Sequence, residues 1–337
     1  MPAIQKTTKR LLSSTFSIGE IILWDVESKK ALGTINSESP FSFVTFSEDE
    51  KRIFAISEDN LISVYDANTL SLIDTLQSDY IYNSFLSMDK TICFLQESGG
   101  KARFIRTSDL SIITTIEDDN NYKQVQIFSD NNNAVMAFSK GLSIYEINNR
   151  KTLNEIPIEG IIDLALSHDN KTIACIFKDN SVHLLDADNL NEIRIIDGFE
   201  LSPKKVLFDP LDETLFIGFD GYSVQRYVLE TGKILCELKG LTSDLEQIIF
   251  SKDNKYFITK TAFSTSIVWH TETNKKIRQI DGLKAINPEF KSFITSFYKE
   301  LLIMPFYDTQ MLLKEADRQL NGRTLTDEEK KELFITD

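Results

Sequence analysis

The chain has 337 residues, of which 42% are hydrophobic, 26% charged and 10% aromatic, and this composition excludes a mainly disordered protein. Its 37 Lys and Arg residues are outnumbered by 51 Asp and Glu residues, so the formal net charge is −14 at pH 7. A surface this acidic disfavours phosphate backbones, and we therefore expect no nucleic-acid partner.

The amino-terminal residues 1–16 are basic at first and then only briefly apolar. This stretch is too short and polar for a signal-peptide core, and no run of about 18 apolar residues predicts a membrane-spanning helix. These features predict a cytoplasmic protein without a membrane partner. Cys93, Cys175 and Cys236 lie far apart without a zinc or disulfide spacing, so we expect buried free thiols.

The first mark of an internal repeat is an apolar run that ends in an aromatic residue or Leu, usually followed by an acid. It occurs at Trp24-Asp25, Tyr65-Asp66, Tyr145-Glu146, Leu185-Asp186 and Tyr307-Asp308, with degenerate copies at Ile105-Arg106, Tyr227-Val228 and Trp269-His270. These eight copies recur every 38 to 42 residues. A period in this range is typical of circular or stacked repeat proteins.

A second mark follows the same period: an apolar residue, a Ser or Asp, and an acid shortly afterwards. It occurs at Phe46-Ser47-Glu48-Asp49, Leu86-Ser87-Met88-Asp89, Phe128-Ser129-Asp130, Leu166-Ser167-His168-Asp169, Phe208-Asp209-Pro210 and Phe250-Ser251-Lys252-Asp253. Two independent marks with one period indicate a real repeat.

Short runs rich in Val, Ile, Phe and Tyr alternate with turn formers inside each unit, as in residues 52–56, 57–60 and 61–65. Such runs predict about four strands per unit, with Asn60 and Asn180 at turn positions that need a positive φ. One sheet of this kind cannot bury both of its apolar faces alone, whereas a radial arrangement covers both. The sequence therefore predicts an all-β fold, a β-propeller of four-stranded blades.

The repeat resembles the WD-repeat family of β-propellers, most clearly at residues 21–27 and 61–67, and residues 182–190 also resemble the YVTN type. The resemblance covers roughly residues 11–308. The family's Gly-His pair is absent, because His168, His183 and His270 follow Ser, Val and Trp. We therefore expect no His-Asp-Ser-Trp hydrogen-bond network in any blade, and apolar packing between sheets in its place.

The eight phased marks favour eight blades, with the innermost strand of the first unit shortened to about residues 2–5. Seven blades with a leftover unit is the alternative, because seven is the commoner number in the family. The propeller is expected to span residues 1–308.

The period changes in residues 309–337, where Leu312, Leu313, Ala316 and Leu320 recur at helical spacing before Gly322. A second short helix is predicted from Thr326, with Glu329 completing a capping box. This C-terminal helical tail is similar to the tail of many bacterial WD-repeat proteins. It is expected to dock on the propeller or to bind another protein.

Catalytic signatures are missing from the sequence. It contains no nucleophile elbow and no phosphate-binding loop, and three scattered histidines cannot form a His-rich metal site. We therefore expect no enzymatic activity, no cofactor and no metal.

In a propeller, the turns between second and third strands and the loops between blades share one face, which WD-repeat proteins commonly use for partners. The repeat alignment places acids and aromatic residues there, which supply contact area and select an oppositely charged partner. The candidate partner-binding residues are Phe41, Glu58, Asp59, Tyr80, Asp118, Asp119, Tyr122, Phe199, Glu200, Phe263 and Tyr298, in loops that also contain Glu97.

These features favour a non-catalytic scaffold that binds a protein or peptide of basic or mixed charge. The resemblance leaves an alternative, a propeller enzyme of the lactonase or YVTN type with a metal or cofactor in its central channel. It also allows the chain to be one module of a larger regulatory assembly, because bacterial relatives often follow other domains.

Overall fold

The computed structural model describes residues 3–4, 10–14, 19–261, 265–286, 290, 292–297 and 300–306. These residues form 31 β-strands. The tail at 309–337, for which the sequence predicts two helices, lies outside the described residues.

The first four blades are regular four-stranded sheets. Blade 1 contains β1 (Ala3–Ile4), β2 (Arg10–Ser14), β3 (Gly19–Asp25) and β4 (Lys30–Ser37), and blade 2 contains β5 (Phe41–Phe46), β6 (Arg52–Ser57), β7 (Leu61–Asp66) and β8 (Leu72–Gln77). Blade 3 contains β9 (Ile81–Leu86), β10 (Ile92–Glu97), β11 (Lys101–Arg106) and β12 (Ile112–Glu117), and blade 4 contains β13 (Tyr122–Ile127), β14 (Asn133–Phe138), β15 (Gly141–Glu146) and β16 (Lys151–Ile156).

Blades 5 to 7 repeat this arrangement, and three strands of blade 8 are described. Blade 5 contains β17 (Ile161–Leu166), β18 (Thr172–Phe177), β19 (Val182–Asp186) and β20 (Glu192–Ile196), and blade 6 contains β21 (Pro203–Phe208), β22 (Thr214–Phe219), β23 (Ser223–Val228) and β24 (Lys233–Leu238). Blade 7 contains β25 (Leu245–Phe250), β26 (Tyr256–Thr261), β27 (Thr265–His270) and β28 (Lys276–Asp281), and blade 8 contains β29 (Leu283–Ile286), β30 (Ser292–Phe297) and β31 (Glu300–Pro305).

Each sheet is an antiparallel meander, and the structure confirms the eight-bladed β-propeller. The expected short first strand of the first unit is also confirmed as β1, which pairs with β2. Inner strands of neighbouring blades contact each other where β9 meets β13, β13 meets β17, β17 meets β21 and β21 meets β25, and β1 contacts both β5 and β29. Contact between the first and last blades therefore closes the circle.

The apolar core lies between the blades. Seven clusters of buried side chains each combine residues from two neighbouring blades, from blades 1 and 2 through blades 7 and 8. Phenylalanines fill much of this space, as where Phe94 packs edge-on against Phe104 and Tyr122 at centroid distances of 5.0 and 5.4 Å. Each blade is thus stabilised by its neighbours, as the radial arrangement requires.

The second sequence mark forms the turn between the first and second strands. Ser47, Ser87, Ser167 and Ser251 each contact the carboxylate of the Asp two residues later, at 2.6 to 2.7 Å. The hydroxyl of Ser251 also accepts a hydrogen bond from the backbone N–H of Tyr256 at 2.9 Å. The second sequence mark therefore stabilises a turn and does not form a ligand site.

Turn residues with positive φ recur in every complete blade. Asn60 and Asn180 have φ of 65° and 66°, which confirms their expected role. Between the third and fourth strands the left-handed position is filled by Lys29, Leu70, Leu110, Arg150, Leu190, Gly232 and Asn274. Gly occupies only one of these seven positions, so most blades carry some strain there.

The three histidines occupy structural positions. The ring nitrogen Nδ1 of His168 lies 3.0 Å from Asp212 and links the turns of blades 5 and 6. His183 lies 2.9 Å from Glu192 within blade 5, and His270 packs edge-on against Tyr256. All three cysteines are free, as expected; Cys93 and Cys175 are buried, but Cys236 is partly exposed, so the expectation of burial is wrong for this residue.

Candidate interaction site on the upper face

Antiparallel meanders place alternate turns at opposite ends of the blades. We call upper face the end that carries the turns between second and third strands and the linkers between blades. Every described residue of the predicted site lies in or next to these segments, whereas Phe263 and Tyr298 lie outside the described residues.

Two of the predicted residues are buried at the starts of inner strands. Phe41 and Tyr122 are each 2% exposed and belong to the cores between blades 1 and 2 and between blades 3 and 4. Phe41 therefore packs between blades and presents no contact area to a partner. The hydroxyl of Tyr122 still reaches the upper face, where it donates a hydrogen bond to Asp118 at 2.7 Å.

Phe199 and Glu200 lie in the linker between blades 5 and 6, away from the other candidates. Phe199 is half-buried against Phe219 and Tyr227, at centroid distances of 5.2 and 5.9 Å, and Glu200 is exposed. The structure therefore does not unite all the predicted residues in one site.

Five predicted residues, together with neighbours from blades 2 to 4, line two adjoining grooves. The first groove has a volume of about 470 Å³ and is lined by Ser42, Phe43, Ile56, Ser57, Glu58, Asn60, Tyr80, Ile81, Tyr82, Asn83 and Ser84. The second, of about 460 Å³, is lined by Tyr82, Asn83, Gln96, Glu97, Gly99, Gly100, Lys101, Asp118, Asp119, Asn120, Asn121 and Tyr122. Tyr82 and Asn83 line both grooves. Asp59 is exposed beside the first groove.

An exposed tyrosine pair lines the first groove, and one of its members, Tyr82, also lines the second. Tyr80 and Tyr82 are 61% and 60% exposed, and their rings meet edge-on with centroids 5.2 Å apart. Aromatic rings of this exposure offer a large apolar surface with a polar tip, which suits protein contacts.

Tyr82 owes its position to a β-bulge. The register between β9 and β10 pairs Ile81 with Glu97 and Asn83 with Gln96, so Tyr82 has no partner across the strands. The same bulge recurs at the start of each inner strand in blades 2 to 8, at Ser42, Tyr82, Lys123, Ile162, Lys204, Glu246 and Lys284. Bulges re-aim a side chain, and the bulged residue is exposed in six of these seven blades.

A Gly-Gly turn keeps the second groove open. Gly99 and Gly100 have φ of 79° and 74°, and Gly100 accepts a hydrogen bond from the backbone N–H of Asp118 at 2.9 Å. A Cβ at Gly100 would lie 2.6 Å from the carbonyl oxygen of Asp118. Only glycine allows the linker to approach so closely.

The carboxylates of Asp118 and Asp119 differ in their contacts. Asp118 accepts hydrogen bonds from the backbone and side chain of Asn120, at 2.9 and 3.0 Å, and from Tyr122. Burial, followed by this bond to Asp118, raises the pKa of Tyr122. Asp119 is exposed and forms no hydrogen bond or ion pair with another described residue. It is therefore available to a partner.

A buried ion pair lies beneath the second groove. The Glu97 side chain is 0% exposed and accepts hydrogen bonds through Oε1 from Ser78 and Arg103. Its Oε2 atom accepts none from the described residues, and the Lys101 ammonium lies 3.7 Å away. This pair holds the turn of blade 3 against the preceding linker.

Charge is distributed unevenly over the upper face. The part that runs from blade 2 to the linker before blade 4 carries Glu58, Asp59, Asp79, Glu97, Asp118 and Asp119, with Lys101 and the buried Arg103 as cations among them. Over blades 4 to 7, lysines are interspersed with acids, at Lys123, Lys140, Lys178, Lys204, Lys205 and Lys239. The two grooves thus lie in a part of this face that is more acidic than the part over blades 4 to 7.

Within the described ranges, no group of three or more His, Cys, Asp or Glu side chains is placed to hold a metal ion. The same part of the chain includes no helix with the length and apolarity needed to cross a lipid bilayer.

Comparison with known proteins supports the repeat assignment. No protein-family model matches the chain. A WD repeat-containing protein 55 homolog from Dictyostelium discoideum is 26% identical over 218 residues, which cover 63% of this chain and 53% of that protein. The C-terminal WD40 domain of Sif2 superposes with a TM-score of 0.72 at 12% identity, over 91% of this chain and 95% of that one.

The chain is an eight-bladed propeller, and its repeats resemble those of WD-repeat proteins. It spans about half the length of the curated relative that it matches. The fold is shared more widely: the dihydro-heme d1 dehydrogenase NirN, solved in complex with DHE, superposes with a TM-score of 0.70 at 12% identity, over 90% of this chain and 75% of that one. A computationally designed protein, Ika8, gives a TM-score of 0.70 at 17% identity, over 90% of this chain and 95% of that one. At such identities the likeness concerns the fold alone.

Two blades contain the Trp-to-hydroxyl hydrogen bond of the WD-repeat network. Trp24 donates through Nε1 to Ser13 at 2.8 Å in blade 1, and Trp269 donates to Thr259 at 2.9 Å in blade 7. In blade 6, the buried Arg226 donates to Thr214 and pairs with Asp209 at 3.2 Å. The expectation that apolar packing alone stabilises the blades is therefore wrong in these three blades.

Proposed function

We propose that this propeller is a non-catalytic interaction platform that binds a polypeptide segment of basic or mixed charge across the upper face of blades 2 to 4. The single observation that carries the proposal is the exposed Tyr80–Tyr82 pair beside two grooves in an acidic part of this face. WD-repeat propellers typically serve as protein-interaction scaffolds, which agrees with this geometry.

The segments around the grooves are held rigidly, which favours binding over rearrangement. Asn60 accepts a hydrogen bond from the backbone N–H of Ile81 at 3.0 Å, and Asn83 donates to the backbone carbonyl of Tyr122 at 3.2 Å. These bonds connect blades 2, 3 and 4 beneath the tyrosine pair. A preorganised surface loses less entropy on binding.

The titratable groups with shifted pKa values serve packing and turns, which supports a non-catalytic role. Burial raises the pKa of the Cys93 and Cys175 thiols, so both remain neutral and weakly nucleophilic at pH 7. The pKa of Asp49 is lowered by hydrogen bonds from Ser47 and from the Lys51 backbone. Among the described groups with shifted pKa values, only Tyr122 lines one of the two grooves, whereas catalytic groups with shifted pKa values usually gather in one cleft.

The proposal is tested by selecting peptides from a random heptapeptide phage library with the whole chain as bait. The affinity of the best synthetic peptide is then measured for the wild type and for Tyr80→Ala and Tyr82→Ala variants. Loss of an exposed aromatic anchor should weaken binding about 10-fold or more.

Tyr222→Ala is the matched control, because Tyr222 is 46% exposed and lies on the same face in blade 6. Its affinity should equal that of the wild type. Equal losses in all three variants, or none, would contradict the assignment to blades 2 to 4.

A further inference from the structure

The second groove differs chemically from the first. The first has an apolar floor that includes Phe43, Ile56 and Ile81. The second is lined by polar and acidic side chains, with the exposed ring of Tyr82 and the hydroxyl of the buried Tyr122 among them. A single segment lying across Tyr82 would therefore meet an apolar site on one side and an anionic site on the other.

The anionic site contains a buried carboxylate oxygen that accepts no hydrogen bond from a described residue. The Glu97 side chain is fully buried and lines the second groove, and its Oε2 is the atom concerned. Leaving such an oxygen without a donor is costly in a protein interior. The position therefore favours an added cationic donor.

The Lys101 side chain places a loosely held cation beside Glu97 Oε2. Its ammonium lies 3.7 Å from Glu97 and 3.8 Å from Asp79, and the side chain is 33% exposed. Both distances exceed the roughly 2.8 Å of a charge-assisted hydrogen bond. An incoming cation with better geometry can therefore take its place beside Glu97.

We infer that the second groove is a pocket for an arginine side chain of the bound segment, with Lys101 as a built-in competitor. The guanidinium would stack on Tyr82, pair with the unengaged carboxylate of Asp119 and displace the Lys101 ammonium from Glu97. A planar group with five donors suits an aromatic wall and two carboxylates better than a compact ammonium does. This inference rests on the proposed function, since it names what the same face recognises.

The test uses the library-selected heptapeptide and a second peptide in which its arginine is replaced by citrulline, a neutral group of nearly the same shape. Both are titrated by calorimetry against the wild type and three variants. Asp119→Asn removes the partner carboxylate, Lys101→Met removes the competitor, and Asp197→Asn is the control. Asp197 is also an exposed linker acid of the upper face, but between blades 5 and 6.

Citrulline should weaken binding to the wild type about 10-fold, and Asp119→Asn should weaken binding of the arginine peptide about 5-fold. The Asp119→Asn variant should bind the arginine and citrulline peptides with more similar affinities than the wild type does. The reason is that citrulline and Asp119→Asn each remove the same interaction, the ion pair between the peptide guanidinium and the Asp119 carboxylate. Lys101→Met should bind the arginine peptide about 3-fold more tightly than the wild type does, and Asp197→Asn should match the wild type.

The outcomes separate this inference from the proposed function. Selected peptides that depend on Tyr82 but lack arginine, or carry lysine instead, would overturn the arginine pocket and leave the interaction platform intact. Equal effects of citrulline in the wild type and Asp119→Asn, or weaker binding by Lys101→Met, would also overturn it. Failure to select any peptide would contradict both.

Discussion

The indole Nε1 of Trp269 donates a hydrogen bond to Oγ1 of Thr259, at 2.9 Å, across the second and third strands of blade 7. Both side chains are buried, at 3% and 0% exposure. This bond and the Trp24–Ser13 bond in blade 1 preserve part of a family network in a chain that lacks the Gly-His pair.

Replacing the buried acceptor should cost more than replacing the partly exposed one. Thr259→Val keeps the shape of the side chain but leaves the Trp269 N–H without an acceptor, so we expect a loss of about 1–3 kcal/mol in the free energy of unfolding. Ser13→Ala exposes the Trp24 N–H to water and should cost less than about 1 kcal/mol. Urea unfolding measures both, and equal costs would contradict the role assigned to the buried bond.

The glycines of the blade 3 turn should differ in their tolerance of alanine. Both have positive φ, so each substitution should cost about 1 kcal/mol in unfolding free energy. Gly100→Ala should lower the free energy of unfolding by about 1 kcal/mol more, because the added Cβ would clash with the Asp118 carbonyl oxygen. At Gly99, nothing lies within 4 Å of an added Cβ. Thermal unfolding of the two variants provides the comparison, and the same Tm for both would refute the close approach.

Glycine should stabilise one left-handed turn and destabilise another. Arg150 is exposed with a φ of 56°, so Arg150→Gly should relieve strain and raise stability by about 0.5 kcal/mol. Leu110 has a φ of 57° but is 5% exposed in the core between blades 2 and 3. Leu110→Gly should therefore lower stability by about 2 kcal/mol. Denaturant midpoints of the two variants measure these opposite changes in stability. An increase in stability for both variants would show that relief of backbone strain outweighs the loss of the buried Leu110 side chain.

The Ser–Asp turns should make the fold acid-sensitive. The pKa of Asp253 is lowered from its usual 3.8, chiefly by the hydrogen bond from Ser251 and then by one from the Lys255 backbone. A lowered folded-state pKa means that the ionised form contributes stability above about pH 4, which is lost as the pH falls through the folded value. Asp253→Asn should therefore lower the Tm at pH 7 and have a smaller effect at pH 3. The control is Asp197→Asn, which should change the Tm little at either pH, and a constant effect of Asp253→Asn across this range would contradict the pH dependence.

The fold could be predicted from the sequence because the repeat marks are the residues that form the turns and strand ends. Ser47 and Asp49 close the same turn that Ser251 and Asp253 close two hundred residues later, and this local chemistry is readable from spacing. The hydrogen bonds of Trp24 and Trp269 could not be read in this way, because their partners lie on another strand.

The candidate site was predicted only in part. Spacing located the loops of the upper face, but it could not show that Phe41 turns into the core while Tyr80 stays exposed. Tyr82 was missed because it lies inside a strand, and only the bulge exposes it. Its signal was present in the repeat, since aligning the second residue of each inner strand places Tyr82 with Ser42 and Lys123.

The central claim is that a polypeptide binds over blades 2 to 4 of the upper face. Hydrogen–deuterium exchange with and without the library-selected peptide tests it directly. We expect slower exchange in residues 78–84, 96–101 and 118–122, and unchanged exchange in the linker at 197–202. Protection confined to the lower turns, or to the linker between blades 5 and 6, would contradict it.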